Sequence, residues 1–341
     1  MNKIYKIAIY IAGMFVAISC NHKDLCYDHR DHAHRYHIKV IADYRYDWEE
    51  RCKDEGVDWK KVWPEDYIPY DELRPGKPTG LRVVNYDEAG VSNIHNIGAD
   101  GGVVNLYAGY NDILFYNNDT EYIIFSRHDN GATTRATTRT RTRASYISSE
   151  FANEVEETVN APDMLYANYC KGYWAEKLAR PAEFKVTLQP LVYKYKVRYE
   201  FKSGLKYVAM ARGALSGMAK YVLMNTGETS DTPATILYDA ELTDYGVRAV
   251  VTSFGIPGYP NNNYMTRATN KHALNLEVML RNGKTLNFNF DVTDQVAAQP
   301  HGGVIVVKDI VIEEDVGSQG SGAFDVTVDD WGDYNDIELP L

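Results

Sequence analysis

The sequence predicts an all-β protein. Three observations carry that reading: the dominant hydrophobic period is two rather than 3.6, Asn, Gly and Asp turns recur between short apolar runs, and helical patterning is scarce. The 27 tyrosines of the 341-residue chain agree with it, because tyrosine fits a half-buried pleated surface. Many short strands of this kind indicate antiparallel sandwiches.

In chain order, the first element is not part of a fold. Met1 to Lys6 is a short basic stretch, Ile7 to Ile18 is apolar, and Ser19-Cys20 follows. A basic end, an apolar core and a small residue at the cut form a secretory signal. The run is shorter than the roughly 20 apolar residues that span a bilayer. Ala17-Ile18-Ser19-Cys20 resembles a bacterial lipobox, in which the cysteine becomes the lipid-bearing N-terminus. A thiolate is the natural acceptor for a diacylglyceryl group, and stable anchoring takes two acyl chains or more. Residues 1–19 are therefore expected to be the signal peptide, Cys20 the lipidation site, and residues 20–34 a polar tether.

Removing residues 1–19 leaves 322 residues, and losing Lys3 and Lys6 leaves 34 basic against 47 acidic side chains, a net charge of −13. A chain of this length suggests two domains. Such an acidic chain does not attract nucleic acid. Cys26, Cys52 and Cys170 remain, an odd number that cannot all pair within the chain. Cys26 with Cys52 is the more local option, and spacing does not settle it.

From Ile38 the alternation Ile38, Val40, Ala42, Tyr44, Tyr46, Trp48 places one strand face. Further strands are expected at 81–86, 102–107, 111–117, 121–126, 246–254, 303–312 and 323–328. Tyr193, Tyr195, Val197, Tyr199 and Phe201 alternate with charged residues, which predicts a long strand with one wet face. Leu274 to Phe290 reads as a hairpin. Its central Asn282-Gly283 supplies the two positive-φ positions of a type I′ turn. One short helix is expected within 146–158, capped by Ser148 or Ser149. Gly131 to Ser145 holds four arginines, many threonines and no acid. With no apolar face it is expected to be an exposed, mobile loop, with its charge offset by Glu150, Glu154, Glu156 and Glu157. A domain boundary is placed between Leu178 and Pro190, giving an N-terminal domain over 35–185 and a C-terminal domain over 186–341.

Catalytic chemistry has little support. His29, His32, His34 and His37 cluster, but no carboxylate or cysteine completes a ligand set at a fixed spacing. Gly-x-Ser-x-Gly, a phosphate-binding glycine loop and His-Glu-x-x-His are absent. No carboxylate pair is singled out for glycoside hydrolysis. No enzyme, cofactor or metal is expected.

Four segments carry a family resemblance. They are Asp24-Leu25-Cys26-Tyr27-Asp28-His29, Gly101 to Tyr110 running into Asp112 to Glu121, Leu215-Ser216-Gly217-Met218-Ala219, and Phe324 to Trp331 with Ile337 to Leu339. Together they resemble lipoproteins of the Bacteroidales fimbrillin-like superfamily, in a branch related to minor fimbrial anchor subunits. The resemblance implies two tandem transthyretin-like antiparallel β-sandwich domains. It also implies an outer-membrane fimbrial anchor, accessory subunit or adhesin that works by β-strand exchange. The physical basis of such exchange is an open sheet edge satisfied by another chain's backbone. The implied partners are the outer membrane, through the lipid on Cys20, and fimbrial subunits. The alternative is a surface lipoprotein that binds a glycan or host ligand. Asn21-His22-Lys23-Asp24 partly resembles the acidic signal that sends such lipoproteins to the outer face. Polymerising members lose a leading strand to an arginine-specific protease. The Thr/Arg segment lies in the middle of the first domain, so no cleavage site is carried over to it.

Overall fold

A computed structural model describes residues 35–45, 76–126, 130–259, 270–300, 302–318 and the backbone of 335–337. The expected signal, Cys20, the tether and the strand at 323–328 lie outside these residues, as do Cys26 and Cys52.

Strands dominate, as the sequence predicts. The first twelve are β1 (Arg35–Tyr44), β2 (Gly80–Tyr86), β3 (Ser92–Gly98), β4 (Gly101–Asn105), β5 (Gly109–Asn117), β6 (Ile123–Ser126), β7 (Arg135–Thr138), β8 (Thr140–Thr142), β9 (Glu157–Asn160), β10 (Tyr166–Ala175), β11 (Lys177–Leu178) and β12 (Ala182–Pro190). Then come β13 (Tyr193–Ser203), β14 (Val208–Ala219), β15 (Tyr221–Leu223), β16 (Pro233–Thr243), β17 (Gly246–Ser253), β18 (Ala273–Leu280), β19 (Thr285–Asp291), β20 (Gly303–Val311) and β21 (Asn335–Ile337). Two short helices, α1 (Thr293–Ala297) and α2 (Glu314–Ser318), flank β20.

The first sheet closes on itself. Its order is β1-β12-β10-β5-β2-β3-β4, and β4 returns to pair with β1. β1 therefore has partners on both sides: β12 in parallel from Ile38↔Ala182 to Tyr44↔Leu188, and β4 in antiparallel register from His37↔Asn105 to Ile41↔Gly101. The alternation read from the sequence fills this barrel. Ile38, Val40 and Tyr44 are buried with Leu81, Val83, Ile113, Phe115, Tyr166 and Leu188. Burying a side chain such as Phe115 contributes roughly 1.5–3 kcal/mol. The seam with β4 depends on Gly101. Its φ is +118°, and a Cβ there would lie 2.0 Å from the Val40 carbonyl oxygen.

The second sheet runs β19-β18-β14-β16-β17-β13-β20. It folds over so that Tyr195, Val197 and Tyr199 of β13 pack with Leu215, Ile236, Leu274, Leu276 and Ile305 in one core. The hydroxyls of Tyr199 and Tyr238 meet there at 2.7 Å. The antiparallel expectation holds for most pairs, but β1–β12, β13–β20 and β9–β16 are parallel. Both halves of the chain thus begin with a strand that pairs in parallel with a late strand of the same half.

A smaller sheet, β15-β7-β6, takes strands from both sides of β12. Ile123, Ala136 and Val222 pack between the outer barrel face, at Val84, Leu114 and Tyr116, and Leu191, Val192 and Phe254 beyond it.

Four expectations need correction. Residues 146–158 hold no helix; the chain turns there and enters β9. Its acids are drawn to the sheets instead: Glu156 accepts from the Gly217 N–H at 2.9 Å and the Thr235 hydroxyl at 2.7 Å, and Glu157 binds Lys220 and Thr140. The turn at Asn282-Gly283 is not type I′, because Gly283 has φ +81° and Asn282 does not have positive φ. The Gly283 N–H donates to the Leu280 carbonyl at 2.9 Å, and the Leu280 N–H to the Lys284 carbonyl at 2.8 Å. That is a three-residue loop with a glycine bulge. The charged face of β13 is not wet along its length. Lys194, Lys196, Arg198 and Glu200 are half-buried, with Arg198 beside Glu200 and over the Tyr245 ring.

The fourth correction concerns the Thr/Arg segment, which is built into the structure. β7 pairs with β6 and β15, and β8 with β9 and β21. Thr134, Ala136, Thr138 and Arg143 are buried.

Candidate functional site

Two features of the structure stand out: the sheet edges and a buried charge cluster in the second half. The barrel has no free edge along β1, because its neighbours β12 and β4 take up both sides. The second sheet differs. Among the described residues β19 pairs only with β18, and β20 only with β13. β19 alternates cleanly. Leu286, Phe288 and Phe290 face the core, while Thr285, Asn287, Asn289 and Asp291 are exposed. Polar and acidic side chains on an edge strand discourage indiscriminate pairing.

The arginine segment enters the second half as a buried charge cluster. Arg143 Nε lies 3.4 Å from Glu277 Oε2, and Arg212 Nη2 lies 2.8 Å from Glu277 Oε1. Ser145 receives a hydrogen bond from Arg212 at 2.6 Å and donates to the Glu277 carboxylate at 2.9 Å. Arg143 also donates to Asn275 Oδ1 at 3.3 Å. Glu277 is only 1% exposed, so its charge is tolerable only with both guanidiniums beside it. Nearby, burial pushes the Glu157 carboxyl up, but hydrogen bonds from Lys220 and Thr140 outweigh it and hold it below the usual range.

The site residues read from sequence divide sharply. Cys20 lies outside the described residues, as do His29, His32 and His34. His37 is buried in β1. Among the described residues no group of three or more His, Cys, Asp or Glu side chains could hold a metal. Cys170 is a free thiol, which burial pushes above its ordinary pKa. Sequence reasoning missed the Arg143–Glu277–Arg212 cluster entirely. The one available signal was Glu277 within the apolar run of β18.

The fold is an all-β architecture: a closed barrel and a second sheet whose outer strands β19 and β20 each have one partner among the described residues. Residues 70–239 match the family model described as a domain of unknown function, DUF5119. The match spans barrel strands and reaches β16. A candidate fimbrium anchoring subunit, Fim4B, of Bacteroides ovatus is 23% identical over 84% of this chain and 90% of its own length. The crystal structure of a candidate adhesin from Bacteroides ovatus has the same fold, with a TM-score of 0.58 and 20% identity over 84% of this chain and 95% of that one. The chain thus carries a DUF5119 match over 70–239 and is similar along most of its length to a relative named as a fimbrium anchoring subunit, in line with the resemblance its motifs carry.

Proposed function

We propose that the chain is an outer-membrane lipoprotein, attached through Cys20, that serves as a fimbrial anchor, accessory subunit or adhesin without catalysis. It joins fimbrial subunits by β-strand exchange at an open sheet edge. Two tandem transthyretin-like units, divided near β12, belong to the same reading.

The observation that carries it is the contrast in edges. β1, the first described strand after the lipobox, occupies the barrel seam with partners on both sides. The second sheet ends in strands paired on one side among the described residues. A subunit that keeps its lipid and its first strand offers one satisfied end and one receptive end. That polarity suits the base of a filament. The similarity to a relative named as a fimbrium anchoring subunit supports it.

The test is crosslinking in the native membrane followed by purification and mass spectrometry. Fimbrial subunits should be recovered with the protein. Recovery as a lone monomer while the neighbouring genes are expressed would overturn the assembly reading. Cys20→Ala should move the protein from the membrane to the soluble fraction, and continued retention would remove the lipid argument.

A further inference from the structure

We propose that the outer rim of the barrel binds a neutral, hydroxyl-rich glycan. The site is a cleft between the β2–β3 turn, the start of β5 and the approach to β7, with Tyr110 in its lining as the stacking face and Trp174 packed edge-on against Tyr110 beside it. The cleft has a volume of about 350 Å³ and is lined by Tyr86, Asp87, Glu88, Tyr110, Asp112 and Asn130, among others. That is at the lower end of the range for small-ligand sites, roughly 300–1,000 Å³.

Its geometry is built rather than incidental. β10 slips against β5 between Cys170 and Tyr173, a bulge of the kind that re-aims side chains. Asp112 pins it. One carboxylate oxygen accepts from the Gly172 N–H at 2.8 Å, and the other from the Tyr169 hydroxyl at 2.7 Å. Beyond the bulge Trp174 lands opposite Tyr110, with ring centroids 4.9 Å apart and planes at 71°. These two rings are 55% and 51% exposed although they touch. An exposed aromatic pair beside a polar cleft marks a binding surface more than a packing remnant.

The polar groups are held in place and keep hydrogen-bonding capacity. Asp87 Oδ1 accepts from the Ala89 and Val91 N–H groups at 2.9 and 2.8 Å, which leaves Oδ2 to a ligand. Asn130 Oδ1 accepts from the Ala132 N–H at 2.8 Å, which leaves its amide N–H₂. Sugar rings present C–H faces to aromatic rings and hydroxyls to carboxylates and amides. Three carboxylates in the lining repel uronates, sulfates and phosphates, so the ligand is neutral. A metal ion fits poorly, since both oxygens of Asp112 are already engaged and the described carboxylates do not converge as a ligand set. The inference does not depend on whether the chain holds a fimbrium.

The test applies the full-length protein to an array of neutral and acidic glycans, then titrates the best neutral oligosaccharide by calorimetry with and without EDTA. Neutral glycans should bind, with EDTA having no effect. Trp174→Ala and Glu88→Gln should each weaken binding about tenfold or more, a difference well within calorimetric resolution. The thermal midpoint should not move, because both side chains lie at the surface. Binding of acidic glycans alone, of calcium alone or of nothing on the array would overturn the proposal. So would neutral-glycan binding that both variants retain at full strength.

Discussion

The barrel and the open sheet begin alike and end differently. In each, the opening strand pairs in parallel with a late strand: β1 with β12, and β13 with β20. In the barrel β12 goes on to pair with β10, and the ring closes through β4. In the second sheet β20 pairs only with β13, and β19 only with β18, among the described residues. Closure satisfies every strand and leaves side chains at the rim as the barrel's means of recognition. Openness leaves backbone available to another chain. The comparison therefore separates two kinds of surface on one molecule: a rim suited to ligand contact and edges suited to assembly.

The two halves also differ in what fills them. Among the described residues the barrel core is mainly apolar, with the buried amides Asn85 and Asn111, whose side chains meet at 3.3 Å, and Asn117. The second half carries the buried Arg143–Glu277–Arg212 cluster. Glu277→Ala should have the largest effect. It strands two buried guanidiniums and should cost about 3–5 kcal/mol. Chemical denaturation measures the loss. Hydrogen exchange should find it in β14 and β18 while β2 and β5 stay protected. Equal loss of protection in the barrel would mean that the halves unfold as one unit, and would break the comparison.

Next is the pH response of the second half. Burial pushes the His272 imidazole down to about 4 from its ordinary 6.5, against smaller opposing contributions from the Ser216 backbone and Asp291. The unfolded chain then binds the extra proton between those values and the folded chain does not. The contribution of His272 to stability is complete above about pH 6.5 and falls as the pH drops towards 4, by up to about 3 kcal/mol. Denaturation midpoints across that window should show the slope in the wild type and a flatter profile in His272→Gln. Identical profiles would show that His272 does not carry the acid sensitivity.

The most local effect is aimed at the barrel. Gly101→Ala places a Cβ against the Val40 carbonyl in a backbone conformation that disfavours side chains. The backbone strain alone should cost about 1–3 kcal/mol, the overlap with the Val40 carbonyl adds to it, and the β1–β4 seam should loosen. Faster exchange in β1 and β4 with β18 unchanged would sharpen the contrast. Unchanged exchange in β1 would show that the seam accommodates the methyl group.

Legibility followed sequence distance. β1, β13 and the β18–β19 hairpin could be read because alternation is local and each strand carries its own buried face. The Thr/Arg segment could not. β7 has one fully buried apolar side chain, Ala136, and takes β15 as a partner from more than 80 residues away. Arg143 meets Glu277 across 134 positions. Such a segment looks solvated until its distant partners are present. The helix expected at 146–158 failed for the same reason, since Glu156 and Glu157 are satisfied by strands outside their own segment. The glycan cleft was equally hidden, because it joins a turn, a bulge and a loop that no motif links.

By itself the sequence determined the all-β class, most strand positions and the resemblance to fimbrial anchor subunits, because period-two burial and short motifs are written in consecutive residues. Only the tertiary structure decided which sheet closes, where the arginines are buried and which aromatics stay at the rim. Those depend on pairings between distant segments, and a side chain's environment is set by the partner that arrives rather than by its neighbours in the chain.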